Sequence, residues 1–263
     1  FALRVADYIR TASTDDRRYL LYNPVVKMRV TTQGEEVVNL LWDVIAAKGF
    51  EKDIYFEMAV RDIRALPKLE GTVHVNVALI VKFIANYFFK PENYLEVVKQ
   101  SDEKNDDFLF NQGTTHGLGK IHFHDYRIAY NSVNLPNVKV FKKQIRKLKL
   151  FLLLAKPNKA QRRDIDFLLT LGEMFTLVVY GQLILENAKI YNIDDDIVDQ
   201  IFDCLVRDFS KFALQLYLKS ITTSLQRKIS SMMIEKPAAG QDRFSRVWEN
   251  YVYALKDQYV MSE

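Results

Sequence analysis

Apolar residues recur at helical spacing along most of the chain, and no stretch of any length alternates as a strand would. Asn23-Pro24 has the form of a helix entry, with Asn as cap and Pro at the first helical position, where its missing amide hydrogen is not needed. The helix it predicts runs through Val25, Met28, Val37, Leu41 and Ile45 and stops near Gly49. From Thr72 the positions Val73, Val77, Ile80, Val81, Ile84 and Phe88 predict another, closed by Pro91. Between Pro91 and Pro136 the period is lost: "SDEKNDD" is wholly polar, and "NQGTTHGLGKIHFHDY" gathers three of the nine glycines. Beyond it Val198, Ile201, Phe202, Leu205, Phe209, Phe212 and Leu216 form a broad apolar stripe. Asp194 to Asp196 supply its cap and favourable charge for the helix dipole. A last helix is expected to carry Phe244, Val247, Trp248, Val252 and Leu255 on one side. The pattern therefore predicts an all-α protein, with one helical bundle over residues 1–90, a long connecting segment over 91–136, and a second bundle over 137–263.

Residues Phe167 to Leu185, "FLLTLGEMFTLVVYGQLIL", are apolar over a length that would span a bilayer. Glu173 lies near the middle, where an acid costs about 2.5–3.5 kcal/mol in a membrane helix, and Gln182 lies near the end. A helix buried inside a bundle is the expectation, with no membrane span. The totals agree with a protein that has ample core: 263 residues, 49% hydrophobic and 27% charged. A net charge of +4 from 37 basic and 33 acidic residues does not call for nucleic acid. The basic residues between Lys139 and Lys149 are local; they read as a solvated helix face, and by charge alone they also suit contact with an acidic carrier protein. Cys204 is the single cysteine, so no internal disulfide is possible and a reducing, cytoplasmic setting is expected. It falls within an apolar helical pattern and reads as a small buried hydrophobe. The first residue is Phe1 and no signal-type leader follows it, which predicts a fragment of a longer polypeptide.

Two places carry candidate chemistry. His116, His122 and His124, followed by Asp125, are ligand types that zinc accepts. No cysteine pair or second cluster accompanies them, so no metal site is assigned. The nearby Gly113, Gly117 and Gly119 do not follow a strand, as a dinucleotide fingerprint requires. The other place is "RDIRALPKLEGTVHVN", Arg61 to Asn76, where Glu70 stands at the mouth of a helix behind a rigidifying Pro67. A helix cap is one reading. A general base is the other, since a carboxylate held still and partly desolvated has a raised pKa and accepts protons at working pH. Gly71 lets a flat ligand approach the backbone. The Thr72 hydroxyl and the free amides at the helix start suit a phosphate.

Arg61-Asp62-x-Arg64 followed by Glu70-Gly71-Thr72, with "WDVIAAKGF" (Trp42 to Phe50) before them, resembles the C-terminal helical domain of the FAD-dependent acyl-CoA dehydrogenases. The likeness covers residues 1–90, about a third of the chain. It implies that Glu70 is the base that removes the α-proton of an acyl thioester. It also implies that the Glu70 amide helps polarise the thioester carbonyl, with Gly71 at the substrate. Thr72 and His74 fall where the family contacts FAD, and Asp43 and Gly49 where it reaches the FAD of a neighbouring subunit. Departures are Ala46 and Ala47 for paired glycines, Asp43 for a glutamine, and His74 for a glutamine or glutamate. The resemblance further implies an acyl-CoA or acyl-carrier-protein substrate, an electron-transferring flavoprotein as acceptor, a homo-oligomer, and N-terminal domains or a partner chain to complete the pocket. A non-catalytic helical assembly module that keeps the family's shape is the alternative.

Overall fold

The structure, a computed structural model, describes residues 1–52, 55–69, 71–101, 107–111 and 117–258. It is mostly helical, with no strand among the described residues; Pro91 and Phe123 form an isolated parallel bridge. The chain divides into two compact units, Phe1–Asp125 and Tyr126–Glu263. The first contains α1 (Ala2–Arg10), α2 (Tyr19–Ile45), α3 (Tyr55–Ala65), α4 (Val73–Ile80), α5 (Ile84–Phe89) and the short α6 (Asp107–Asn111). The second contains α7 (Arg127–Asn131), α8 (Pro136–Leu154), α9 (Ile165–Tyr191), α10 (Asp195–Leu218), α11 (Ser224–Met232) and α12 (Gln241–Val247).

The spine of the first unit is α2, against which α1, α3 and α4 pack. It starts five residues before the expected Asn23-Pro24 entry, so Pro24 lies inside it. The extra turn buries Tyr19, Leu21 and Tyr22, and the Tyr22 ring packs 4.5 Å from Tyr8 and 6.1 Å from Phe123. That burial outweighs the one helical hydrogen bond that a proline removes. At the other end Ala46, with φ +57°, turns the chain out of α2 into a 3-10 turn over Ala46–Phe50.

The described residues between α5 and α7 hold little helix yet are packed. Arg4 and Asp7 form a buried ion pair at 3.3 Å, and the same side chains bond the Val97 carbonyl (2.7 Å) and the Gln100 amide (2.9 Å). They hold the 91–101 strip along α1. Arg18 lies between the rings of Tyr8 (5.0 Å) and Tyr94 (4.2 Å) while forking onto Asp16. Phe123 is fully buried among Tyr22, Phe83 and Tyr87. Buried Asn86 donates to the carbonyls of Gly119 and Ile121, both at 2.9 Å.

In the second unit α9 lies against α10 and α7, and α10 against α8, α11 and α12. The apolar window of α9 has mean hydropathy 1.7, enough by length and composition to cross a membrane, and 83% of it is buried. Asp164 caps α9 by accepting from the Phe167 amide at 2.7 Å, and Asn192 closes it in the left-handed region, which asparagine tolerates. The expected α10 cap is present: Asp194 accepts from the Asp196 amide. Cys204 is exposed, not buried, because it sits one position off the stripe of Phe202 and Leu205. Partial desolvation and the nearby Asp203 and Asp208 push its thiol pKa up, which disfavours the thiolate form.

The last helix also differs from expectation. Phe244, Trp248, Val252 and Leu255 are exposed, and Arg243 is the buried residue of α12. Its guanidinium binds Asp199 and, at 3.1 Å, Asp203. Asp199 also accepts from the backbone amide of Asn137 (2.7 Å), an amide that the start of α8 would otherwise leave unbonded. This polar chain joins α12, α10 and α8, and it sets the roll of α12 so that its apolar side faces outward.

Two predictions follow from the packing of this unit. Tyr130 donates to the Val178 carbonyl at 2.7 Å, and a Cβ at Gly181 would stand 2.4 Å from its oxygen. Gly181→Ala should therefore destabilise by about 1–3 kcal/mol through overpacking, despite alanine's better helix propensity; in a Tyr130→Phe background, denaturant titration should show most of that cost removed. Arg243→Ala takes the guanidinium from buried Asp199 and leaves Asp203 with Arg207 alone, and should cost about 3–5 kcal/mol. Arg246→Ala, which breaks an exposed pair with Asp196, should leave the midpoint close to wild type.

Candidate functional site

The last turns of α2, the 3-10 turn after it and the face of α3 converge on Trp42. Its indole lies 4.7 Å from the Phe50 ring and 6.1 Å from Phe56, centroid to centroid. The Arg64 guanidinium sits over the indole at 4.9 Å and donates to Asn39 Oδ1 at 2.7 Å. Gly49 is required by close approach: a Cβ there would lie 2.8 Å from Trp42 Cδ1 and Nε1. The indole Nε1 is buried and has no acceptor among the described residues.

Open hollows lie to either side of this cluster. One, of about 790 Å³, is lined by Asn39, Asp43, Ala46 and Ala47; the other, of about 440 Å³, by Gly49, Glu57, Val60 and Arg61. Trp42, Phe50 and Arg64 line both. Arg61 and Arg64 share a helix face because they are three residues apart. Flat aromatic surface beside two guanidiniums suits a planar, anionic ligand. Asp43 and Glu57 bring opposing charge to the rims, and Glu57 is partly offset by Arg61 at 3.5 Å.

The other candidate residues lie elsewhere in the same unit. Lys27 on α2 donates to the Leu66 carbonyl at 2.6 Å, which sets the turn leading to Gly71 at that level of the spine. Sixteen residues separate Lys27 from Asp43, or roughly 24 Å of helix. Gly71 has φ +93°, a conformation natural to glycine. Its carbonyl accepts from Asn76 Nδ2 at 2.9 Å. Thr72 is the N-cap residue of α4, but its side chain makes no capping hydrogen bond. Thr72 and His74 are exposed. Glu70 lies outside the described residues.

Among the described residues, His122 and His124 are engaged separately. His122 Nδ1 is 3.0 Å from the Lys90 carbonyl and 3.3 Å from Glu92, and His124 Nδ1 is 3.4 Å from the Tyr94 amide. Both rings contact the 90–94 stretch of chain, and no cluster able to hold a metal occurs among the described residues. His116 lies outside them.

The sequence alone assigns no role to Trp42 or Arg64, although both lie in the segments that carry the resemblance. The i, i+3 spacing of Arg61 and Arg64 was the signal for a shared face; nothing in the sequence shows that Trp42 would meet that face. In comparisons with family models, curated proteins and solved structures, the chain matches none.

The chain has two tryptophans, and Trp248 is the other. In a Trp248→Phe background, emission reports Trp42 alone. Gly49→Ala should shift it to the red and destabilise the first unit by about 1–3 kcal/mol through overpacking. Unchanged emission and stability would contradict the close contact.

Proposed function

We propose that this chain is the C-terminal helical portion of an FAD-dependent acyl-thioester dehydrogenase, with Glu70 as the base. One observation carries most weight. Two of the segments that carry the resemblance, residues 42–50 and 61–64, belong to different helical elements yet meet around Trp42 beside an open hollow. The mouth of α4 adds a left-handed Gly71 and a Thr72 hydroxyl not used for capping.

These residues fit the cofactor in part. Arg61 and Arg64 suit its phosphates, the Trp42–Phe50 surface suits a flat ring, and Thr72 and His74 offer exposed polar groups; Asp43 suits it least, because its carboxylate opposes an anion. FAD, when bound, supplies the acceptor for the substrate's β-hydride. The chain's own work is proton transfer. The α C–H bond breaks, the proton passes to the Glu70 carboxylate, and its electrons form the new α,β double bond as hydride leaves the β-carbon. Backbone amides at Glu70 and Gly71 stabilise charge that grows on the thioester oxygen. The substrate is an acyl-CoA or acyl-carrier-protein thioester, and an electron-transferring flavoprotein takes the electrons onward.

The non-catalytic assembly reading draws on a different observation. Val30, Val37, Leu40, Leu41 and Val44 are exposed along α2, a row of apolar side chains suited to association of copies. Association is compatible with catalysis, so flavin decides between the readings. The polypeptide that carries this chain should purify yellow, and its flavin absorbance should bleach on adding acyl thioester. Glu70→Gln should slow bleaching by about 10²–10⁴-fold, because an amide cannot take the proton. Colourless protein that binds no added FAD would leave the assembly reading; unchanged bleaching would remove Glu70 from the mechanism.

A further inference from the structure

Helix α8 carries Lys139, Lys142, Lys143, Arg146, Lys147 and Lys149 and no acidic residue. That is six cations on one helix in a chain whose net charge is +4. Their spacing places them on one side, opposite the buried Phe141, Gln144, Ile145 and Leu148. Lys142 donates to Asn131 Oδ1 at 2.6 Å, and Lys149 lies 5.8 Å from the Tyr126 ring centroid. Lys139, Lys143, Arg146 and Lys147 have no carboxylate partner among the described residues, while other cations of this unit pair readily: Arg207 with Asp203, Lys219 with Asp166, Arg246 with Asp196. The fold therefore leaves this face as a concentrated positive field.

A slot of about 120 Å³ is set into the face where α7 meets α8. Its floor is apolar and aromatic, made by buried Tyr126, Tyr130 and Ile145, and cations Arg127, Lys142 and Arg146 stand on its rim. Such a slot takes one protruding apolar side chain, and its rim favours acids beside that side chain. This is the arrangement of an interface anchor within a polar ring. A phosphate backbone offers nothing to fill an apolar floor, and the two tyrosines are buried, so they are no platform for stacked bases. A membrane surface takes apolar wedges that project, whereas this feature is concave.

We propose that the α8 face docks an acidic carrier protein, one of whose surface helices seats an apolar side chain in the Tyr126–Tyr130–Ile145 slot. The inference rests on the dehydrogenase reading for the cargo, an acyl thioester on that carrier, but not for the docking itself.

The test measures association and dissociation of purified acyl-carrier protein on the immobilised chain, at low and high salt. Wild type should bind at low salt and release as salt rises. Lys143→Glu with Arg146→Glu should lower the association rate about tenfold and flatten its salt dependence. Asn131→Trp, which plugs the slot without changing charge, should speed dissociation about tenfold. Should the charge-reversed chain fail to fold by circular dichroism, the salt series and the plug carry the test. No binding at low salt, equal rates for the wild type and both variants, or displacement of the carrier by duplex DNA or anionic vesicles would overturn the proposal. Docking without any flavin bleaching would uphold this surface and remove the dehydrogenase; bleaching by acyl-CoA without docking would overturn this surface alone.

Discussion

One long helix with unlike halves governs the first unit. The N-terminal half of α2 is buried by Tyr8, Phe123 and their neighbours, so its position is strongly held. Its C-terminal half has cover on one side, where α3 packs so closely that a Cβ on Gly34 would approach Ile63 to 3.2 Å. That one-sided cover leaves Trp42 at the surface of the fold, partly buried, with Arg64 across it and Gly49 pressed against it. The candidate residues inherit their places from this spine. Asp43 and Gly49 stand at its end, while Gly71 and Thr72 follow a turn fixed beside Lys27 by the Leu66 carbonyl. A rigid rod thus separates an aromatic and cationic hollow from the helix mouth that follows Glu70.

The second unit solves a different problem. Its core is apolar and dense, with Phe141 against Tyr130, Phe202 and Phe209. Less regular chain after α11 and before α9 is held by buried polar anchors. Gln144 reaches the Val206 and Met233 carbonyls at 3.2 and 3.1 Å, and Gln161 and Gln226 exchange amide hydrogen bonds at 2.6 and 2.9 Å. Each such group is costly when unpaired, so together they specify one arrangement. Because Gln144 makes its contacts from the inner side of α8, the outer side of that helix is free to carry charge.

The helices that sequence shows best are those whose burial is one-sided and periodic. α10 is legible from its stripe and its Asp194 cap, and Pro91 does stand just beyond α5. What sequence hides is tertiary. Asn23-Pro24 has the local form of a helix start, but burial of Tyr19, Leu21 and Tyr22 moves the start upstream. Phe123 lies between two histidines in a glycine-bearing stretch, and only its aromatic neighbours make it core. From Phe244 to Leu255 a stripe of apolar residues suggests a buried side, yet Arg243 is the residue of α12 that is buried, held by Asp199 and Asp203. For the candidate site, the residue types around Trp42 were legible and their meeting was not, since 22 positions separate Trp42 from Arg64.

The functional account depends on a carboxylate at position 70 that removes a proton from carbon. Deuterium uptake at the α-carbon of an acyl thioester, followed by NMR in D₂O with the polypeptide that carries this chain, reads that event without relying on the fate of the hydride. The account predicts uptake with wild type and its loss with Glu70→Gln. Equal uptake with both proteins, or none with either while flavin still bleaches, would contradict it.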